Sequence, residues 1–240
     1  MKQSSSPLHL DIQHGDTSFR VAVKRLATAR RFTLRVSAAT RHATLTMPLR
    51  SNFDQAADFA QRHSGWIAAR LTRLAEDIVI MPGSEIPFRG RLHLIIQSEK
   101  KRGTVWIEEH GSAPLLYVAG HPDHAGRRLK DFLKKQARLA LDHAVRRYAD
   151  QLGLSARGIA LKDTKSRWGS CSADGRLNFS WRLILAPPEI LDYLAAHEVA
   201  HLKEMNHSRR FWALVRMLYP DYRQAELWLK QNGMTLHRYR

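Results

Sequence analysis

The chain has 240 residues, 44% of them hydrophobic and 25% charged, which is the range of an ordinary globular protein with a sizeable core in one large domain or two small ones. Lys and Arg number 39 against 22 Asp and Glu; the resulting +17 favours polyanionic partners such as nucleic acid, nucleotides or anionic membrane surfaces. A single cysteine, Cys171, excludes an internal disulfide and fits a reducing cytoplasm, while the absence of any apolar run near ~18 residues, or of one after the polar start, excludes a bilayer span and a signal peptide.

In chain order, the polar residues 1–7 are expected to fray. Four short segments then alternate apolar and polar: Leu8-Leu10-Ile12, Phe19-Val21-Val23, Phe32-Leu34-Val36 and Ala43-Leu45-Met47. Period two predicts half-buried strands, with Arg30, Arg31, Arg35 and Arg41 on their wet side. Ser51 or Asn52 caps a predicted helix reaching about residue 79, with a weak point at Gly65. Met81-Pro82-Gly83 is a turn. Residues 86–96 read as one strand, 105–107 and 115–118 as two more, with a basic loop at 100–103. At Gly120-His121-Pro122 the pattern turns helical, so the expected division is a β-rich part over 1–120 and a second part over 121–240.

From Asp123 to Gly153 an apolar stripe through Leu129, Leu133, Ala140, Ala144, Tyr148 and Leu152 predicts a helix of about 30 residues. Arg127, Arg128, Lys130, Lys134, Lys135, Arg138, Arg146 and Arg147 cover its other face, the best sequence candidate for a polyanion footprint. Residues 159–161 form a strand, and Asp174-Gly175 joins two further strands over 167–181 into a hairpin. Pro187-Pro188 starts the next helix. Ser208 and Asp221 cap two more, and the basic tail 237–240 is expected to be mobile.

The chemistry concentrates in residues 197–207, His-Glu-Val-Ala-His-Leu-Lys-Glu-Met-Asn-His. His197 and His201 stand four apart, which on a helix places both imidazoles on one face, and His207 is placed to return as a third ligand. Three nitrogens with an open fourth position suit a catalytic zinc ion rather than a structural one. Glu198, beside the first ligand, is the expected general base, taking a proton from water and returning it to a leaving amine. The predicted cofactor is therefore one Zn2+ ion and the predicted activity amide hydrolysis, with the 167–181 hairpin as the edge on which an extended polypeptide pairs.

Other residues carry less. Glu204 reads as a helix-end residue, Cys171 as a lone thiol, and Trp168 and Trp181 as core. Arg167 and Asn178 either brace the site or satisfy turn backbone. Tyr219, Tyr222 and His237 are all candidates for a transition-state stabiliser, and spacing selects none of them.

A set of motifs recurs in one order: residues 165–172 (Lys-Ser-Arg-Trp-Gly-Ser-Cys-Ser), 177–183 (Leu-Asn-Phe-Ser-Trp-Arg-Leu), Ala186-Pro187-Pro188, His197 to His201, Asn206-His207-Ser208 and Phe211-Trp212, with residues 30–36 and the Trp66-containing helix upstream. Together they resemble the YgjP-like metallopeptidases, relatives of the SprT-like zinc proteases, over roughly residues 28–232. The resemblance implies an α+β fold: a zincin-like metallopeptidase core preceded by a β-rich N-terminal part. It also implies zinc on His197, His201 and His207 with Glu198 as catalytic acid/base. Glu204 stands where metzincins carry a turn glycine, which favours the SprT-like side. Such relatives act on DNA-bound proteins, which would give the positive charge a purpose.

The leading expectation is a cytoplasmic zinc-dependent peptidase with no membrane association. The same site could instead hydrolyse a nucleotide phosphoanhydride, as a nucleoside triphosphate pyrophosphatase, with the basic surface drawing in the substrate. A third reading is a non-enzymatic nucleic-acid-binding protein braced by a structural zinc.

Overall fold

The computed structural model describes all residues except 1–7, 16, 38–39, 73, 75, 101–103, 111–112 and 166. The expected frayed start and most of the basic loop at 100–103 lie outside the described residues. The fold is mixed α+β, and backbone contacts divide the chain into two units, Met1–Glu76 and Asp77–Arg240.

In the first unit the alternating segments form β1 (Leu8–His14), β2 (Thr17–Leu26), β3 (Thr33–Ser37) and β4 (His42–Pro48). Their order is β1-β2-β4-β3, two antiparallel pairs joined by a parallel contact between β2 and β4. Leu10, Ile12, Val21, Val23, Leu45 and Met47 fill one face, covered by Ala56, Ala60 and Ile67 from two helices. These are α1 (Phe53–Arg62), capped by the Asn52 side chain accepting from the Asp54 amide, and α2 (Ser64–Thr72).

The single helix expected as far as residue 79 is thus two helices. The break falls at His63, whose ring Nδ1 bonds the Phe59 carbonyl at 2.7 Å, and not at Gly65. Gly65 serves close approach instead: a Cβ there would stand 3.1 Å from the His14 imidazole. Ile78 is extended, bridged in parallel to Tyr239.

The second unit begins with β5 (Glu85–Phe88), β6 (Arg91–Ser98), β7 (Val105–His110) and β8 (Ala113–Ala119), in the order β5-β6-β8-β7. The strand expected over 86–96 is a hairpin. Arg89 and Gly90 both take positive φ (49° and 79°) in a two-residue turn, the backbone such a loop demands. Arg-Gly hides this signal, because arginine seldom adopts positive φ. Tertiary contacts hold it there: the Arg89 and Gly90 amides donate to the Ile184 and Leu185 carbonyls, and a Cβ on Gly90 would press within 3.0 Å of Pro187.

Helix α3 (Ala125–Gln151) follows, burying Leu129, Leu133, Ala137, Leu141, Ala144 and Tyr148 at three- and four-residue spacing. Its first turns share a core with Ile95, Leu116 and Val118 of the preceding sheet. The composition shift at Gly120 therefore does not coincide with the division after Glu76. A third sheet, β9 (Gly158–Lys162), β10 (Gly169–Cys171) and β11 (Arg176–Ser180), has the order β10-β11-β9, so β10 is an edge. The expected Asp174-Gly175 turn joins β10 to β11, with Gly175 at φ 78°.

A 3-10 turn, Trp181–Leu185, leads to α4 (Pro188–Ala200), which is buried along nearly its whole length. Helices α5 (Arg209–Leu218), capped by Ser208, and α6 (Tyr222–Asn232) pack against it. Asp221 occupies the cap position of α6 without a side-chain capping bond. The tail expected to be mobile is anchored: a 3-10 segment, Gly233–Arg238, leads into backbone bonds joining Arg238 and Arg240 to Ile78 and Ile80.

Candidate metal centre

Helix α4 presents His197 in its last turn and closes on His201, its C-terminal cap residue. The chain then turns through residues 202–206, and Ser208 starts α5, which leaves His207 in the connecting turn. One ring nitrogen from each of His197, His201 and His207 lies within 4.8 Å of the others. The local cause is α4's four-residue spacing plus a short return loop; the tertiary cause is Phe211. Its ring contacts all three imidazoles at 4.4–4.9 Å between centroids, and Trp212 stacks on His207 at 5.8 Å. Phe211 and Trp212 therefore serve as the wall behind the imidazoles.

The donor chemistry fits a divalent metal. His201 Nδ1 lies 3.0 Å from the Glu204 carbonyl, an acceptor only, so that nitrogen carries the proton and Nε2 keeps its lone pair. The Nε2 atoms of His197 and His207 face each other at 3.2 Å. Two nitrogens held at about 2.0–2.1 Å by one tetrahedral zinc would stand about 3.3 Å apart. Burial and the neighbouring imidazoles push His197 down to about 3, and burial lowers His201, so both rings stay neutral and available as ligands at neutral pH.

Glu198, next to His197 on α4, is 4% exposed. Burial raises its carboxyl to about 8 against the opposing pull of Arg167, and its Oε2 has no hydrogen-bond partner among the described residues. It fits only because residue 169 is glycine: a Cβ there would collide with Oε1 and come within 2.8 Å of Cδ. The carboxyl group therefore abuts the edge strand β10.

Of the secondary candidates, Asn178 spans to the Ser170 hydroxyl across β10 and β11, and Arg167 acts on Glu198 through its charge. Glu204 contributes its carbonyl, not its carboxylate. Cys171 is half-buried, and burial with Glu198 and Asp174 nearby raises its thiol, so it is held as the inert protonated form. Tyr222 stacks on Trp212, Tyr219 packs near Tyr193, and His237 is buried against Trp168 at 4.9 Å, outside the imidazole cluster. Trp181 is core and Trp168 half-buried.

Sequence reasoning missed three residues. Tyr193, one turn before His197, places its hydroxyl 3.4 Å from His197 Nδ1; the four-residue spacing was its signal. Gly169 makes room for Glu198. Arg182, 7% exposed, bonds Asp163 at 2.7 Å and the Leu236 and Tyr239 carbonyls, tying the C-terminal segment beside Trp168.

Three clustered imidazoles with a buried carboxyl define the class: a metal-dependent hydrolase. The model of the YgjP-like metallopeptidase domain matches residues 30–232, and the chain belongs to that family. Membership sets aside the non-enzymatic reading. The chain is also similar to a UTP pyrophosphatase of Escherichia coli (strain K12), 30% identical over 84 residues, which are 33% of this chain and 50% of that protein; it thus spans about half the length of this curated relative. Among solved structures, the metallopeptidase zymogen abylysin of Pyrococcus abyssi aligns with 38% of this chain and 93% of its own, at 21% identity and a TM-score of 0.34. No helix among the described residues is long and apolar enough to cross a membrane.

Proposed function

We propose that the protein is a zinc-dependent peptidase in which His197, His201 and His207 hold one metal ion and Glu198 is the catalytic acid/base, within a zincin-like core formed by α4 and the sheet β10-β11-β9. The observation that carries this is the buried Glu198 carboxyl, unpaired at Oε2 among the described residues, packed against strand β10 and next in the chain to His197 of the imidazole cluster. A bound divalent ion supplies Lewis-acid polarisation of the scissile carbonyl and lowers the pKa of water toward ~7.

The protein's own residues do the rest. A polypeptide in extended form pairs with the free edge of β10, which lays its backbone beside Glu198. Glu198, whose proton affinity burial has brought near neutrality, takes the proton of the attacking water and hands it to the leaving amine. Phe211 and Trp212 exclude water from the far side of the imidazoles. The lone Cys171, with no disulfide to form, fits work in the cytoplasm.

The similarity to a UTP pyrophosphatase supports a second reading, phosphoanhydride hydrolysis on the same residues, with the positive charge attracting the nucleotide. Incubating the zinc-loaded protein with unstructured polypeptides and, separately, with nucleoside triphosphates separates the two. Peptide cleavage lost in Glu198→Gln supports the peptidase; pyrophosphate release lost in the same variant supports the second reading. Hydrolysis undiminished in Glu198→Gln removes Glu198 from either mechanism.

A further inference from the structure

The N-terminal unit carries a concavity that the metal centre does not use. Its volume is about 330 Å3, and Arg31, Phe32, Leu34, Phe59, His63 and Trp66 line it where β3 meets the bend between α1 and α2. Phe32 and Phe59 lie 5.5 Å apart, and His63 packs tilted against Phe59 at 4.4 Å. The bond from His63 to the Phe59 carbonyl fixes that ring, so the aromatic wall is preformed. Trp66, by contrast, is 48% exposed, although the unit's own core is complete without it. The hydrolytic site gives this tryptophan no task.

The surroundings say what such a surface would take. Arg31 lines the cavity, Arg30 is exposed beside it on the approach to β3, Arg62 and Arg70 are exposed on the two helices, and no carboxylate lines the cavity among the described residues. A purely apolar or proline-rich ligand would use the rings and gain nothing from the guanidinium groups. Arginine beside open aromatic faces is the combination that holds unpaired bases, with stacking for the base and charge for its phosphates. A duplex offers the same phosphates but keeps its base faces to itself. The volume, at the low end for ligand pockets, suits one base.

We propose that this aromatic, basic concavity binds single-stranded nucleic acid, stacking a base on Trp66 and taking the flanking phosphates on Arg31 and its neighbours. The binding is independent of the metal centre. The net charge of +17 strengthens the encounter at low salt.

The test is fluorescence anisotropy of a dye-labelled dT12 against the full chain, in a chelating buffer and over a salt series. Trp66→Ala should weaken binding about tenfold or more, the loss of one stacked base, while Trp66→Phe stays within about threefold of the parent. Arg31→Ala should weaken binding and lower the salt slope by about one. A duplex of equal length should bind more weakly than the single strand. Equal binding by Trp66→Ala, with its circular dichroism and melting unchanged, would overturn the proposal. So would a duplex bound as tightly, which would assign the affinity to charge alone, or a mononucleotide competing as well as dT12, which would make this a small-ligand pocket.

Discussion

A carboxyl group only 4% exposed, with one oxygen lacking any partner among the described residues, is an arrangement a folded chain keeps only where something compensates. At Glu198 the compensation is partial protonation, with the carboxyl raised to about 8, and a metal charge alongside would supply more. The same packing makes Gly169 a sharp test. In Gly169→Ala the new methyl group must displace the Glu198 carboxyl, so hydrolysis should fall at least tenfold while zinc affinity changes little, as read by parallel activity and chelator-competition assays. Tyr193→Phe should do the reverse, weakening zinc binding on the order of tenfold by freeing the His197 ring. The imidazoles and Glu198 were legible as candidates because their relation is local, fixed by helix spacing and one short return. Tyr193 carried the same four-residue signal on that helix, whereas Gly169 carried none: its task depends on β10 packing against Glu198, a residue distant in the sequence.

Among the elements, the four strands of the first unit, the long α3 and the Asp174-Gly175 hairpin could be read from periodicity and turn residues. What escaped was decided by partners distant in sequence. The Arg89-Gly90 turn exists because its amides meet Ile184 and Leu185, and the C-terminal segment is ordered because Ile78, Ile80 and Arg182 hold it. Arg182 is the keystone of that segment, since its guanidinium serves Asp163 and two carbonyls at once while lying over the Trp181 ring. Asp163 is half exposed, so the ion pair itself is worth little; the orphaned carbonyls and lost packing dominate. Arg182→Met should lower stability by about 2–3 kcal/mol in urea unfolding and expose residues 233–240 to proteolysis ahead of the rest.

At the scale of the whole molecule, charge and burial set the response to pH. His197 is pushed down to about 3 and His237 to about 4, while in the unfolded chain both return to about 6.5. Between those values the unfolded state binds more protons, so the stability these neutral rings contribute is complete above pH ~6.5 and is lost as pH falls toward 4. Glu198, raised to about 8 from about 4.5, works the other way and adds stability as pH falls between those values. With two rings against one carboxyl, the urea midpoint of the metal-free protein should still drop across pH 6.5 to 4, less steeply than the rings alone would give, and His237→Gln should flatten that drop. A midpoint unchanged across the window in both the parent chain and Glu198→Gln, where the opposing carboxyl is gone, would show that neither ring is buried as described. Zinc follows the same trend: at a thousandfold excess over Kd it should add about 4 kcal/mol at pH 7.5, and less at pH 5.5 as protons compete for the imidazoles.

The central claim is that His197, His201 and His207 together hold one metal ion. It is tested most directly by counting zinc per chain in protein stripped, reloaded and desalted, beside His201→Ala and Glu198→Gln. One equivalent is expected in the parent chain and in Glu198→Gln, and well under half in His201→Ala, with all three folded by circular dichroism. A parent chain that retains no zinc, or a His201→Ala chain that retains a full equivalent, would contradict it.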